Sequence, residues 1–320
     1  MPDKNLIFLI SLPRSGSTLT QKILGASSDI YTRSEPWLML APLYALKKTD
    51  CIAEYSKPLE YIATQDFISH LPGGGRKKYI EHIRNAYTSI YSEYSSAHGK
   101  RFFLDKTPRY YLIANELKEV FPNAKIIILL RNPLGVLSSI IKTWANKDLT
   151  RLANFKIDLV TGLDILSKLV AMKKNDFFFL RYEDILSDPA NTFQEVFNYL
   201  GVKFNQNILT DYNSSDDEKW PYGDPHKVYK RKTIDTGNAM RWVDNLDDPQ
   251  HWRLLYDYLN YVGKKRFELL GYDFESASKT LLSNMPCSCI QELEDNTSSL
   301  YKFLGIPTDE IGKEIVDQQS

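Results

Sequence analysis

Residues 6–24, LIFLISLPRSGSTLTQKIL, join an apolar strand-like run to a tight loop of small hydroxyl residues and the start of an amphipathic helix. Strand, glycine turn and helix N-terminus in succession aim several backbone N–H groups and the positive helix end at one point, which suits phosphate or sulfate. Gly16 permits close backbone approach. Ser15, Ser17 and Thr18 add hydroxyl donors. Arg14 adds a planar fork of N–H groups that matches phosphoryl-type oxygens better than a lysine point charge. On this segment alone, a strand-to-helix turn capped by Ser and Thr remains the alternative.

Outward from this stretch, short apolar runs at 6–11, 101–104, 125–130 and 177–181 alternate with helical patterns near 18–26, 79–96, 109–120, 133–145, 156–173 and 189–200. Such alternation predicts the α/β class, a central parallel sheet flanked by helices. The runs lack the polar alternation of a half-exposed strand, as expected when both sheet faces are covered. Residues 37–100 form a long, tyrosine-rich, mostly helical insertion with a flexible LPGGGRKK loop at 71–78. Residues 205–245 are polar and read as a long active-site loop, and residues 250–271 are helical in period, ending at Gly271.

With 320 residues, 43% of them apolar, the chain can bury a sizeable core. Forty basic and forty acidic residues cancel, so the whole molecule carries no electrostatic footprint for nucleic acid or an anionic membrane. Cys51, Cys287 and Cys289 include no CxxC pair and make no disulfide framework, which suits a reducing compartment. The CSC tripeptide is too cramped for an ordinary zinc site. No run of about 18 apolar residues occurs, and the first strand begins by about residue 6, with no basic region and longer apolar stretch before it. These features set the expectation of a soluble, cytoplasmic protein.

The nucleotide triphosphatase pattern GxxxxGK[ST] is not met, because PRSGST lacks both the leading glycine and the lysine after the second. PRSGST after a strand resembles instead the 5′-phosphosulfate loop of sulfotransferases that use 3′-phosphoadenosine 5′-phosphosulfate (PAPS). A second match is KIIILLRNPLGVLSSIIKTW, residues 125–144, where an apolar run ends in Arg131 and Pro133 opens a helix at its favoured first position. This resembles the family's 3′-phosphate segment, which carries a serine eight residues after the arginine, here Ser139, with Ser138 next door as the alternative. Ser139 stands roughly 9 Å along the helix from Pro133. The third match, FFFLRYEDILSDPANTFQEVFNYLGV at 177–202, resembles the family's strand–YED–helix block. In the family the tyrosine, here Tyr182, lies by the nucleotide, while Glu183 and Asp184 support structure.

The resemblance implies a P-loop-like sulfotransferase fold with a domain over residues 1–275 closing near GYDF. In an α/β fold an excursion such as the helical insertion at about 37–100 usually caps the cleft, so acceptor recognition is placed there, with a decorative helical hairpin as the alternative. Residues 276–320 form a C-terminal helical extension, too short for its own core. The resemblance also implies PAPS as donor, 3′,5′-adenosine bisphosphate (PAP) as product, and no metal where cationic side chains supply the charge. The resemblance is closer to the PRSGST, glutamate-base branch than to the histidine-base cytosolic branch. With no membrane anchor expected, a small, natural-product-like acceptor is favoured over the glycans and protein tyrosines modified in the Golgi.

Sulfuryl transfer needs in-line placement and positive charge over oxygens that gain charge. Lys106, in LDKTPRYY, looks like the lysine that serves this role in tyrosylprotein and heparan-type sulfotransferases. It should stand at the C-terminal edge of the sheet, where open α/β folds bind ligands. Its alternative is an exposed lysine paired with Asp105 or Glu116. Glu35, in YTRSEPWLML, resembles the catalytic glutamate of tyrosylprotein sulfotransferases and is the candidate base, with a capping or salt-bridged carboxylate as its alternative. Trp37 stands where those enzymes carry an arginine, which weighs against peptide substrates and suggests an apolar or flat acceptor. His226 is the reserve base, since no histidine sits in the K-x-x-H context of the cytosolic branch; His98 is near Lys106 only in sequence. In KVYKRKTIDTG, Arg231 and Lys232, with Lys230 beside them and Gly237 behind, look like the family's basic loop over the 3′-phosphate, with a solvated basic run as the alternative.

Catalysis is thus assigned to Glu35, Lys106 and Arg14. Donor binding is assigned to Arg14, Ser15, Gly16, Ser17, Thr18, Arg131, Ser139, Tyr182, Arg231 and Lys232. Two other functions fit less well. A P-loop-type kinase using ATP lacks its lysine and a Walker B acidic strand end, and a catalytically silent nucleotide-binding protein has no need of Arg14, Glu35, Lys106, Arg131 and Ser139 together. The acceptor, O- against N-sulfation and the oligomeric state stay open.

Overall fold

A computed structural model describes residues 3–48, 56–145, 148–172, 176–210, 212, 234, 239–244, 246–287, 289 and 299–306. The opening apolar run forms β1 (Leu6–Ser11), buried at every position. Its alternate residues serve two cores. Leu6, Phe8 and Ile10 join one cluster, and Ile7 and Leu9 join the other, because successive side chains point to opposite sheet faces. Helices cover both faces, so the strand reads as continuous hydrophobe.

Among the described residues the sheet has five parallel strands in the order β2 (Ile30–Ser34), β3 (Phe102–Lys106), β1, β4 (Lys125–Leu130) and β5 (Phe178–Arg181). Four of these match the apolar runs read from sequence. β2 was not among them: its sequence, IYTRS, is an edge strand whose polar groups are satisfied sideways. Thr32 Oγ1 donates to the Leu104 carbonyl (2.9 Å) and accepts from Gln21 Nε2 (2.8 Å), so an apolar-run criterion misses it. β1 leads through α1 (Ser17–Gly25) to one side of the sheet, while β4 lies on the other side of β1. The chain therefore reverses direction across the sheet at β1, and a crevice opens beyond the strand C-termini there.

The insertion between β2 and β3 holds α2 (Leu40–Tyr44), α3 (Lys57–Ser69) and α4 (Gly75–Ala97). The loop expected over 71–78 is shorter than that. Gly73, Gly74 and Gly75 turn the chain at positive φ, and residues 75–78 already form the first turn of α4. Beyond β3 come α5 (Ala114–Val120) and, after β4, α6 (Pro133–Ile140), which continues as a π turn at Ile141–Ala145. After α7 (Leu163–Ala171) and β5, α8 (Tyr182–Ser187) and α9 (Pro189–Leu200) close the second face.

Helix α10 (Pro249–Val262) starts at Asp248, whose carboxylate caps Gln250 N and His251 N. α11 (Lys264–Leu269), α12 (Phe274–Ser283) and α13 (Ser299–Leu304) follow. α12 crosses the 275/276 boundary, and Trp252 Nε1 on α10 donates to the Leu281 carbonyl at 2.8 Å. The Asp257 carboxylate accepts from Ser299 N at 2.8 Å, so both late helices are tied to α10. No helix among the described residues is long and apolar enough to cross a membrane.

Candidate active site

Because all five strands run the same way, each delivers its next residues to one edge of the sheet. β1 delivers Arg14, Ser15 and Gly16; β2 delivers Glu35; β3 ends in Lys106; β4 is followed by Arg131; and β5 by Tyr182.

The loop after β1 is shaped by its backbone. Gly16 has φ +90°, and a Cβ there would meet Tyr182 Cδ2 at 2.3 Å, so only glycine lets the loop lie on that ring. Arg14 is itself left-handed, at φ +65°, an uncommon state for a long side chain. Its Nε donates to Ser139 Oγ at 3.2 Å, and its guanidinium lies 5.3 Å from the Trp144 ring centroid. Arg131 Nη1 donates to the Arg14 carbonyl at 2.6 Å, and its guanidinium stacks 4.6 Å over the Tyr182 ring. Burial pushes the Arg131 pKa below the usual arginine range. Tyr182 is buried, sandwiched between Gly16 and Arg131 as the floor of both loops.

Of the adjacent serines, Ser139 faces Arg14. Ser138 is buried and paired with His251 Nε2 on α10 at 3.2 Å. The turn that carries Arg131 is held from two sides. Asn132 Oδ1 caps α6 by accepting from Leu134 N (3.0 Å), and Asn132 N donates to Glu183 Oε1 (3.1 Å). Glu183 Oε2 in turn accepts from Tyr272 OH at 2.8 Å.

Across the crevice, the fully buried Lys106 Nζ lies 2.7 Å from Glu35 Oε1. Glu35 also has positive φ, +34°. Lys106 is therefore neither exposed nor paired with Asp105 or Glu116. Asp105 points to the other side of β3, where Tyr91 OH (2.7 Å), Tyr110 OH (3.0 Å) and Thr107 Oγ1 (2.8 Å) donate to it. Burial outweighs these bonds and raises the Asp105 pKa to about 6. Glu116 faces Lys47 at 3.9 Å.

The residues at the β1 and β4 ends fit an oxyanion. Ser15 Oγ and Arg131 Nε are buried with no hydrogen-bond partner among the described residues. Orphaned buried donors are rare, and a phosphate or sulfate oxygen accepts from both types of group. Ser17, also buried, and the half-buried Thr18 stand in the first turn of α1 behind them. Among the described residues, no three His, Cys, Asp or Glu side chains cluster as a metal site. Arg231, Lys232, Lys230, Gly237 and His226 lie outside the described residues. His98 stacks on Tyr31 at 3.9 Å, with Nδ1 2.7 Å from the Tyr94 carbonyl.

Trp144 was not singled out from sequence. The π turn at 141–145 widens the helix and carries Trp144 to the same side as Ser139, which no 3.6-residue period reveals. Asn132, as a helix cap before Pro133, had a readable signal in the N-P dipeptide.

The chain belongs to the sulfotransferase family: the model described as "Sulfotransferase family" matches residues 6–206. It is 28% identical over 289 residues to the nodulation protein NoeE of Sinorhizobium fredii, covering 84% of this chain and 66% of that protein. It is 24% identical over 199 residues to carbohydrate sulfotransferase 1 of Danio rerio, covering 56% of this chain and 46% of that one. The chain thus spans just under two thirds of the first of these relatives and less than half of the second. Among solved structures, the sulfotransferase domain of the Synechococcus PCC 7002 olefin synthase has the same fold, with a TM-score of 0.50, 24% identity, and coverage of 74% of this chain and 86% of that domain.

Proposed function

We propose that this chain is a PAPS-dependent sulfotransferase that moves a sulfuryl group to a hydroxyl or amine of a small-molecule acceptor. The supporting observation is that two anion motifs 117 residues apart are hydrogen-bonded to each other through Arg131 and the Arg14 carbonyl, beside a buried lysine–glutamate pair at the same sheet edge. When bound, the donor supplies an activated sulfuryl group and leaves as the adenosine bisphosphate.

In this reading Ser15, Gly16, Ser17 and Thr18 hold the 5′ end of the donor through backbone N–H groups and hydroxyls. Arg131 and Ser139 hold the 3′-phosphate, and Arg14 spans the two ends. Tyr182 sets the level of the loop, and Arg231 and Lys232 are proposed to close over the 3′-phosphate. Lys106 places a fixed positive charge where oxygens gain charge during transfer, in a site where that charge needs no reorganisation. It also holds Glu35 Oε1, which leaves Oε2 to take the proton of the acceptor hydroxyl.

Calorimetric titration with PAP tests the assignment. Binding without added metal is expected, and no binding at all would overturn the donor reading. Transfer is then read as the mass shift of one sulfate across an acceptor panel.

A further inference from the structure

We propose that Trp37 is the acceptor platform of this site, an indole surface on which a flat ring lies while its hydroxyl reaches Glu35. The proposal rests on the sulfotransferase reading above and adds to it the class of acceptor, a ring-bearing alcohol.

A single exposed aromatic side chain is ordinary on a protein surface. Trp37 differs because the fold holds it in place by three separate means and still leaves it 43% exposed. Its backbone sits at φ +56°, a state that a bulky residue adopts only when its surroundings over-determine it and that clusters at binding sites. Its N–H donates to the buried Thr107 Oγ1 at 3.4 Å, next to Lys106. The Arg109 guanidinium backs the ring at 5.9 Å from its centroid, within cation–π range.

That arginine is itself immobilised. Its Nε and Nη2 bond the two oxygens of the fully buried Asp158 at 3.0 and 2.8 Å, and Tyr111 OH donates to the same carboxylate at 2.7 Å. Planar bidentate geometry fixes the guanidinium plane, and with it the wall behind the indole. A rigid, backed and solvent-facing ring two residues from the candidate base is a pre-organised surface. The negative face of the indole attracts the electropositive C–H groups of a pyranose or the edge of an aromatic ring. Both sources share one chemistry, a flat ring carrying a hydroxyl at its rim.

The test uses the full chain loaded with PAP. Binding of 2-naphthol and of methyl β-D-glucopyranoside, with 1-butanol as an open-chain control, is followed by saturation-transfer NMR for the wild type, Trp37→Phe and Trp37→Leu. At least one ring probe is expected to bind the wild type, within about threefold as tightly to Trp37→Phe and about tenfold more weakly to Trp37→Leu. The 1-butanol signal and the calorimetric PAP affinity should not change, which also shows that the variants are folded. The probe that responds distinguishes a sugar from an aromatic acceptor. The proposal is overturned when Trp37→Leu binds the ring probes as the wild type does, or when the wild type binds PAP and neither ring. If the wild type fails to bind PAP, the donor reading itself falls and takes the platform with it.

Discussion

Lys106 and Glu35 form an ion pair in which one partner is fully buried and the other nearly so. Removing one member strands the other, and such losses run to about 3 kcal/mol or more. Lys106→Ala is therefore expected to lower the urea midpoint as well as turnover, by about 100-fold in kcat, with only a modest change in PAP affinity. Glu35→Gln keeps the size and one hydrogen bond to Lys106 but leaves the buried ammonium without a counter-charge. It should therefore also lower the urea midpoint, though less than Lys106→Ala, while losing transfer to an alcohol and sparing an amine acceptor already neutral. Retention of full activity toward alcohols would show that the proton goes elsewhere. At Gly16, alanine brings both left-handed strain and overlap with Tyr182. We expect a loss of about 3 kcal/mol in urea unfolding together with loss of PAP binding. At this scale the shape of the loop was legible: a glycine among hydroxyl residues after an apolar run already marks a tight strand-to-helix turn. The strain at Arg14, Glu35 and Trp37 was not, because no residue type announces a positive φ except glycine, asparagine and aspartate.

The decisive element is the β4–α6 turn. It carries Arg131 on one side and is fixed by Asn132, Glu183 and Tyr272 on the other. Charge-assisted bonds from arginine to phosphate contribute about 1.5–3 kcal/mol each. Arg131→Ala should therefore weaken PAP binding by about 100-fold in calorimetry while leaving the kcat at saturating donor close to wild type. Equal effects on binding and turnover would refute the separation of roles between Arg131 and Lys106. Sequence period showed the strand and the proline-started helix, whereas the serine eight residues after Arg131 was named by resemblance to the sulfotransferase segment. That resemblance named Ser139 with Ser138 as the alternative; in the structure His251 on α10 takes Ser138, while Ser139 faces Arg14. Edge strand β2 was invisible for a related reason: with one neighbour and polar side-chain partners it needs no apolar run.

Across the whole molecule, Asp105 couples the insertion to the sheet, since Tyr91 on α4 and Tyr110 both donate to it. Its pKa of about 6 lies above the unfolded value of 3.8, so the folded state binds its proton more tightly. The stability this contributes is full below pH 4 and lost as pH rises through about 6, to the extent of about 3 kcal/mol. Asp105→Asn can retain the tyrosine bonds without titrating. Its stability relative to the wild type, from urea unfolding, should therefore improve by that amount between pH 4 and pH 7, and a constant difference would contradict the assignment. PAP at one hundred times its dissociation constant should stabilise the fold by about 2.7 kcal/mol, seen as a thermal shift of about 5 °C that survives a chelator. By itself the sequence determined the class of fold and the tight strand–turn–helix unit after β1, because these depend on local period, on glycine and proline, and on residue types that act within one such unit. The segments at 125–144 and 177–202 were legible through their resemblance to sulfotransferases. Only the tertiary structure decided that Lys106 pairs with Glu35, that Arg131 grips the Arg14 loop, and that Trp37 is backed by Arg109. Each of those contacts joins segments brought together by strand order, and parallel strand order is set by packing across the whole sheet.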